Sequence, residues 1–397
     1  MREMEIPQII MMSGLVATVA MFFAYGGAWC YDARTWYLSG QTAYNEGLLS
    51  VYSVQGKMPE EFPGGYFDYP PPWLVWVYTA YSIKQSFSLT LDQWLYLIRL
   101  PVLLFTLANA FLLHFWIREK RGEMEAALAV FAYTVFPGFT NTVFGPLIGT
   151  FDAIPVFFTI LSFILFERRK MNWSAASLGI GAAFKYYPLL LLPVFLIFLK
   201  EKRAAIRFAG LSVAPVVLVS IPPLLYDADA YIKAHLFYAN WVGFTSIYRV
   251  VYYALGWELN LWFGKTIPAG VDLGLLPLIS LISLLILGLV LCSAYLTVLK
   301  KKISLLDSLV VVFCGLLGFW KYANHNYSLW ASPFVLALAF TKPEMRIAAG
   351  VWLFSVFLMS LPYVFLIPEN VELLFAMLVP ISSIGLYLAI MAKAWSK

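Results

Sequence analysis

The chain has 397 residues, of which 61% are hydrophobic and only 12% charged, with a net charge of +5. A soluble domain carries roughly 25% charged residues, so this composition excludes a water-soluble globule, whose surface it cannot cover. The basic residues stand in short clusters between apolar runs, which is how membrane topology is written, and this argues against a nucleic-acid surface.

Taken in chain order, the apolar segments predict an all-α polytopic membrane protein with about twelve transmembrane helices. They fall at 7–29, 94–117, 125–143, 147–166, 173–185, 187–199, 204–226, 272–299, 303–320, 327–341, 346–366 and 372–392. The first reads as an uncleaved span, because its basic n-region is Arg2 alone, offset by Glu3 and Glu5. With the N-terminus inside, the inner side holds 18 basic and 9 acidic residues, leaving 9 basic and 13 acidic outside. That asymmetry supports this orientation by the positive-inside rule. The stretch Pro71-Pro72-Trp73-Leu74-Val75-Trp76-Val77-Tyr78 is apolar enough to cross, but a crossing there would turn every later basic loop outward. Residues 71–83 therefore read as an interfacial or re-entrant helix inside a long outer loop, 31–93. A second outer loop, 227–271, carries the aromatic segment 241–265, read the same way. Residues 1–226 form one module of about seven spans, and 227–397 form the second outer loop and a C-terminal module.

Ionisable groups in membrane segments are expensive and need a reason. Asp32 follows the first span and suits either a general base at headgroup depth or an interfacial charge paired with Arg34. Asp68 lies in Gly65-Tyr66-Phe67-Asp68-Tyr69-Pro70-Pro71-Pro72, where the prolines fix a turn and start a helix. Asp68 and aromatics such as Tyr69 suit a sugar pocket, or simple anchoring at the interface. Asp152 sits at a helix start, an ordinary place for a capping acid. Lys185, in Phe184-Lys185-Tyr186-Tyr187-Pro188, stands between two apolar stretches; it either meets an anionic lipid phosphate or snorkels to the headgroups. Lys321 and His325 lie in one polar run between spans, where His325 can also carry a proton. Arg249 is a lone arginine in the second outer loop, with a fork suited to phosphate. Asp227 and Asp229 have metal-pair spacing but stand where nucleotide sugars are absent. Asp307 has no evident role. Cys30, Cys292 and Cys314 lack metal-ligand spacing, and no phosphate-binding glycine loop appears.

The order of Asp32, Tyr44-Asn45-Glu46-Gly47, Val51-Tyr52, Phe67-Asp68-Tyr69-Pro70-Pro71, Gly149-Thr150-Phe151-Asp152, Lys185-Tyr186-Tyr187-Pro188 and His325-Asn326-Tyr327-Ser328-Leu329-Trp330 resembles the GT-C membrane glycosyltransferases. The similarity is to polyprenyl-phosphate-mannose-dependent mannosyltransferases, the phosphatidylinositol-mannoside enzymes included. The resemblance implies a polyprenyl-phosphate sugar donor, a lipid-linked or glycan acceptor, and inverting transfer on the non-cytoplasmic face of the cell membrane. It implies Asp32 as base. Lys185, Arg249, His325 and Lys321 would hold the donor phosphate, and Asp68, Tyr69, Asp152 and Arg34 would line the sugar and acceptor pocket. No metal or other cofactor is expected. The first acidic site departs from the family pattern in reading Asp-x-Arg, and Thr150 stands where relatives often have Gln. The rival reading is a lipid or small-solute transporter, which would place its ionisable residues near the bilayer midplane.

Overall fold

The computed structural model describes residues 5–27, 31–53, 67–135, 150–236, 243, 245–249, 275–301, 303–364 and 369–396. Cys30, Gly149 and most of the expected interfacial segment 241–265 lie outside them. Among the described residues there is no strand. The helices are α1 (Ile6–Tyr25), α2 (Tyr31–Glu46), α3 (Ser50–Ser53), α4 (Pro71–Ser86), α5 (Leu91–Arg121), α6 (Glu123–Val135), α7 (Ala153–Glu167) and α8 (Met171–Phe184). They continue with α9 (Leu192–Phe198), α10 (Lys202–Leu236), α11 (Leu275–Lys301), α12 (Leu305–Phe319), α13 (Ser328–Thr341), α14 (Arg346–Val364) and α15 (Glu369–Trp395).

Among the described residues, five stretches are long and apolar enough to cross a membrane: Ile6–Ala24, Leu91–Arg121, Lys202–Leu236, Ser280–Lys300 and Leu374–Trp395. This is an integral membrane protein. Alongside them α7, α8 and α12 have 15, 14 and 15 residues. At 1.5 Å per residue these reach about 21–23 Å, short of a hydrocarbon core of roughly 30 Å. Among the described residues there are thus five helices long and apolar enough to cross and several shorter apolar ones, beside the roughly twelve spans that the sequence suggests.

Burial separates the rim from the centre. The apolar windows of the stretches that begin at Ile6, Lys202 and Ser280 are only 22%, 17% and 28% buried. Such apolar exteriors belong against lipid. In α12 and α13 nearly every residue is buried, and they form the middle of one continuous core that runs from Leu15 to Ile390. The division expected at 226/227 therefore falls within a shared core. It coincides with a kink in α10, where Asp227 leaves helical geometry (φ −158°, ψ 90°). The Asp227 carboxylate accepts from Ala230 N and Ser53 Oγ, both at 3.0 Å, so it caps the helical segment that follows. Asp229 pairs with Lys233 one turn on.

Local sequence explains the ends. Thr90 and Gln93 make a reciprocal capping box at the start of α5, and Arg118, Lys120 and Arg121 complement the dipole at its end. Pro71 starts α4. α8 meets α10 closely because Gly179 has no side chain: a Cβ there would lie 2.5 Å from the Ser212 carbonyl. The first outer loop is more ordered than its composition suggests. Residues 31–46 form α2, which packs on α4, and Asp32 begins this helix rather than ending the first span.

The helix ends that carry the basic clusters converge. Arg168 reaches Glu119 at 2.8 Å, Lys120 lies 3.6 Å from Glu167, and Arg118 meets Glu123 at 2.7 Å. Arg121 donates to the Thr341 carbonyl, Lys342 bonds Asp307 and Ser304, and Lys393 pairs with Glu344. Asp307, without a role in sequence, closes the Ser304 cap of α12 and anchors Lys342.

Candidate functional site

The acidic candidates gather at the opposite end, where α7 begins and α8 stops. Asp152 precedes α7 but does not cap it through its side chain, contrary to the simple capping expectation. Its carboxylate is fully buried. Lys185 Nζ lies 2.9 and 3.1 Å from its two oxygens, Asn326 Nδ2 donates at 2.8 Å, and Trp330 Nε1 donates at 2.6 Å. A carboxylate this deep is tolerable only when paired and hydrogen-bonded. With no exposed surface, it orders its neighbours rather than facing a ligand.

Lys185 is placed by the end of α8, whose chain turns extended at that residue before the 3₁₀ turn Tyr187–Leu191. Rings surround the ammonium: Tyr327, Phe151, Tyr69 and Trp330 have centroids at 5.2, 5.3, 5.4 and 5.9 Å. These faces suit a cation. Tyr187 stacks on Trp330 at 3.9 Å, and Trp330 on Tyr327 at 4.0 Å, which locks the turn to α13. Lys185 does not snorkel to a free surface; it is held inward.

Asp32 and Asp68 face this pair. Burial raises the Asp32 carboxyl well above the usual carboxylate range; Asp68 and Asp152 push it further, while Lys185 and Arg99 oppose them. Asp68 is pushed up to about 7, mainly by burial, against a backbone hydrogen bond and Lys185. Both keep some accessible surface. Desolvated carboxyls of this kind favour the protonated form. Tyr69 and Tyr327 face the same acids. The loop before α4 is held by Tyr52, whose hydroxyl donates to the Tyr69 carbonyl at 2.8 Å. Behind it Trp73 stacks on Phe151 at 4.6 Å, and Trp36 meets Trp73 edge-on at 4.9 Å.

The remaining candidates divide. Arg34 is exposed, and residues two apart on a helix do not face each other; the cations acting on Asp32 are Lys185 and Arg99. His325 is buried, and burial with Lys185 nearby pushes its imidazole down to about 3, so it is neutral at pH 7. As a phosphate partner it offers an N–H, not a charge. Lys321 is buried, bonds Ser280 Oγ at 2.6 Å, and is shifted down by burial. The segment that leads to Arg249 meets the same loop: Gly243 N donates to the Lys321 carbonyl at 2.8 Å and Thr245 N to the Ala323 carbonyl at 3.0 Å, and Arg249 N donates to the Ser246 carbonyl at 2.9 Å. Gly243 makes the approach possible, since a Cβ there would lie 2.1 Å from the Ala323 oxygen. Among the described residues, no three His, Cys, Asp or Glu side chains converge as a metal site.

Sequence reasoning passed over Arg99, and it named Asn326 and Trp330 only within a motif, without a role. Arg99 is buried in α5 and donates to the Gly26 carbonyl, tying α5 to the end of α1. Its signal was available, as the lone arginine of an otherwise apolar span. Comparison with protein-family models gives no match for the chain, and comparison with curated proteins gives none.

Proposed function

We propose that this protein is a membrane glycosyltransferase of GT-C type. It would move a sugar, most simply mannose, from a polyprenyl-phosphate donor to a hydroxyl of a glycolipid or glycan acceptor. The observation that carries this reading is the buried Lys185–Asp152 pair, ringed by Tyr69, Phe151, Tyr327 and Trp330, with Asp32 and Asp68 near enough to feel the Lys185 charge. A base works best when its pKa lies near the operating pH, and burial beside a second acid moves a carboxylate in that direction. Aromatic faces suit a sugar ring, and the motif order that resembles the GT-C enzymes runs through these same residues.

In this scheme the acceptor oxygen attacks the anomeric carbon while Asp32 takes its proton. The bond from that carbon to the donor phosphate oxygen breaks, its electrons leave with the lipid phosphate, and the anomeric configuration inverts. Lys185 stabilises the charge growing on the phosphate, where fixed donors matter most. Asp152, Asn326 and Trp330 hold the Lys185 end of the site in place, and Lys321, Arg249 and the neutral His325 N–H supply further donors. Asp68 and Tyr69 shape the sugar side. The positive-inside asymmetry supports a site on the non-cytoplasmic face.

The test is reconstitution in vesicles with polyprenyl-phosphate mannose radiolabelled in the sugar. Label covalently joined to an acceptor, with release of polyprenyl phosphate, is the expected result. Label that crosses the bilayer still attached to its donor would replace this reading with a transporter.

A further inference from the structure

The basic end of the bundle carries a groove that sugar transfer does not use. α5 and α7 lie side by side, and near their C-termini they leave a groove of about 510 Å³. Leu112, Phe115, Leu161 and Leu165 line its apolar length, and Arg118 and Arg168 stand at the helix ends. Phe115 is 56% exposed, so one wall opens onto the apolar exterior. Trp116, also in the lining, donates to Glu167 at 2.6 Å, the half-polar placement usual for an aromatic at a membrane interface.

Charge favours an anion here. Arg118 contacts Glu123 through Nε and Arg168 contacts Glu119 through Nη2, yet the two arginine side chains remain 57% and 53% exposed. A guanidinium has five N–H donors in a fixed fork, so each keeps donors for a second partner. Across 118–125 and 167–170 basic residues outnumber acidic ones six to four.

We propose that this groove binds an anionic phospholipid. One acyl chain lies along the leucines and Phe115, and the phosphodiester sits between Arg118 and Arg168. A free phosphate would leave the apolar length unused, and a zwitterionic lipid would gain little from the arginines. Basic pockets between membrane helices commonly hold such headgroups.

Native mass spectrometry of the full chain in detergent, titrated with phosphatidylglycerol, phosphatidylcholine of the same chains, or glycerol phosphate, tests this. Phosphatidylglycerol should stay bound, phosphatidylcholine should bind at least tenfold more weakly, and glycerol phosphate should not compete. Replacing both arginines (Arg118→Gln with Arg168→Gln) should weaken phosphatidylglycerol about thirtyfold, since each basic group near a headgroup contributes roughly a factor of five. Leu161→Trp leaves the arginines intact and fills the groove; it should also release the lipid. Lys300→Ala, an exposed basic residue outside the groove, should change nothing. Equal binding of the two lipids would overturn the proposal, as would full retention by the arginine variant. Competition by glycerol phosphate at the lipid's own affinity would also overturn it, leaving a plain phosphate site. Monodisperse variants with wild-type thermal unfolding confirm that the loss is one of binding.

Discussion

At the end of the bundle that holds Glu119, Arg168, Glu344 and Lys393, opposite charges meet near the surface, with side chains 34–57% exposed. At the other end Asp152 has no exposed surface and its partner Lys185 only 13%. The chemistry of the two ion pairs is the same, but the energetics are not. An exposed pair gains little, because water already solvates both charges. A buried pair repays its desolvation only through good geometry and further hydrogen bonds, which Asn326 and Trp330 supply. The comparison teaches where this protein keeps charge at a cost, and that place is the Lys185–Asp152 pair with Asp32 and Asp68 nearby.

The largest expected effect follows from breaking the buried pair. Asp152→Leu should destabilise the protein by about 3–5 kcal/mol, because Lys185 is left buried without its counter-ion. Adding Lys185→Met should recover most of that stability in thermal unfolding, while transfer remains abolished. A single variant as stable as wild type would show that the two ends do not differ as described. Next in size is Lys185→Ala, which should lower transfer by about 10²–10³, the loss typical of one donor to a developing anion. Unchanged single-turnover rates would remove Lys185 from the chemistry.

Smaller shifts should appear in the pH profile. A base works deprotonated, so transfer should rise with pH along a limb set by Asp32, which burial lifts well above the usual carboxylate range. Asp68 raises the Asp32 carboxyl, so Asp68→Asn should move that ascending limb to lower pH. Arg99 lowers it, so Arg99→Met should move the limb the other way. Shifts in the same direction for both variants would contradict the arrangement of charges around Asp32. The smallest effect belongs to the exposed end: Glu119→Gln should change stability by about 0.5 kcal/mol or less, checked by the same unfolding assay.

Much of the helical framework is legible in the sequence, because long apolar runs between basic clusters leave few alternatives. The expected span 94–117 lies within α5, and the expected interfacial helix 71–83 lies within α4. Hydropathy missed α2, whose buried face is built of Ala33, Trp36, Gly40 and Ala43 at helical spacing; the small residues add little apolar signal but allow close packing on α4. The run 187–199 is apolar enough to suggest a span, yet Pro188 and Pro193 break it into a 3₁₀ turn and the short α9. In the site, the cost of Lys185 can be read from one sequence, but its partners cannot. Asp152 is 33 residues away, and it meets Asn326 and Trp330 at separations of 174 and 178. Such pairings are set by helix packing and leave no local pattern.

The most direct test of the central claim, that Asp32 moves the acceptor proton, is single-turnover sugar transfer by reconstituted Asp32→Asn with donor binding measured on the same sample. Asparagine keeps the shape and loses the basicity, and the exposed Arg34→Ala serves as the control for local charge. The account predicts a fall of about 10²–10⁴ in the transfer rate, with donor binding close to wild type. A rate near wild type for Asp32→Asn, alongside abolished transfer in Asp68→Asn, would contradict it and pass the role of base to Asp68.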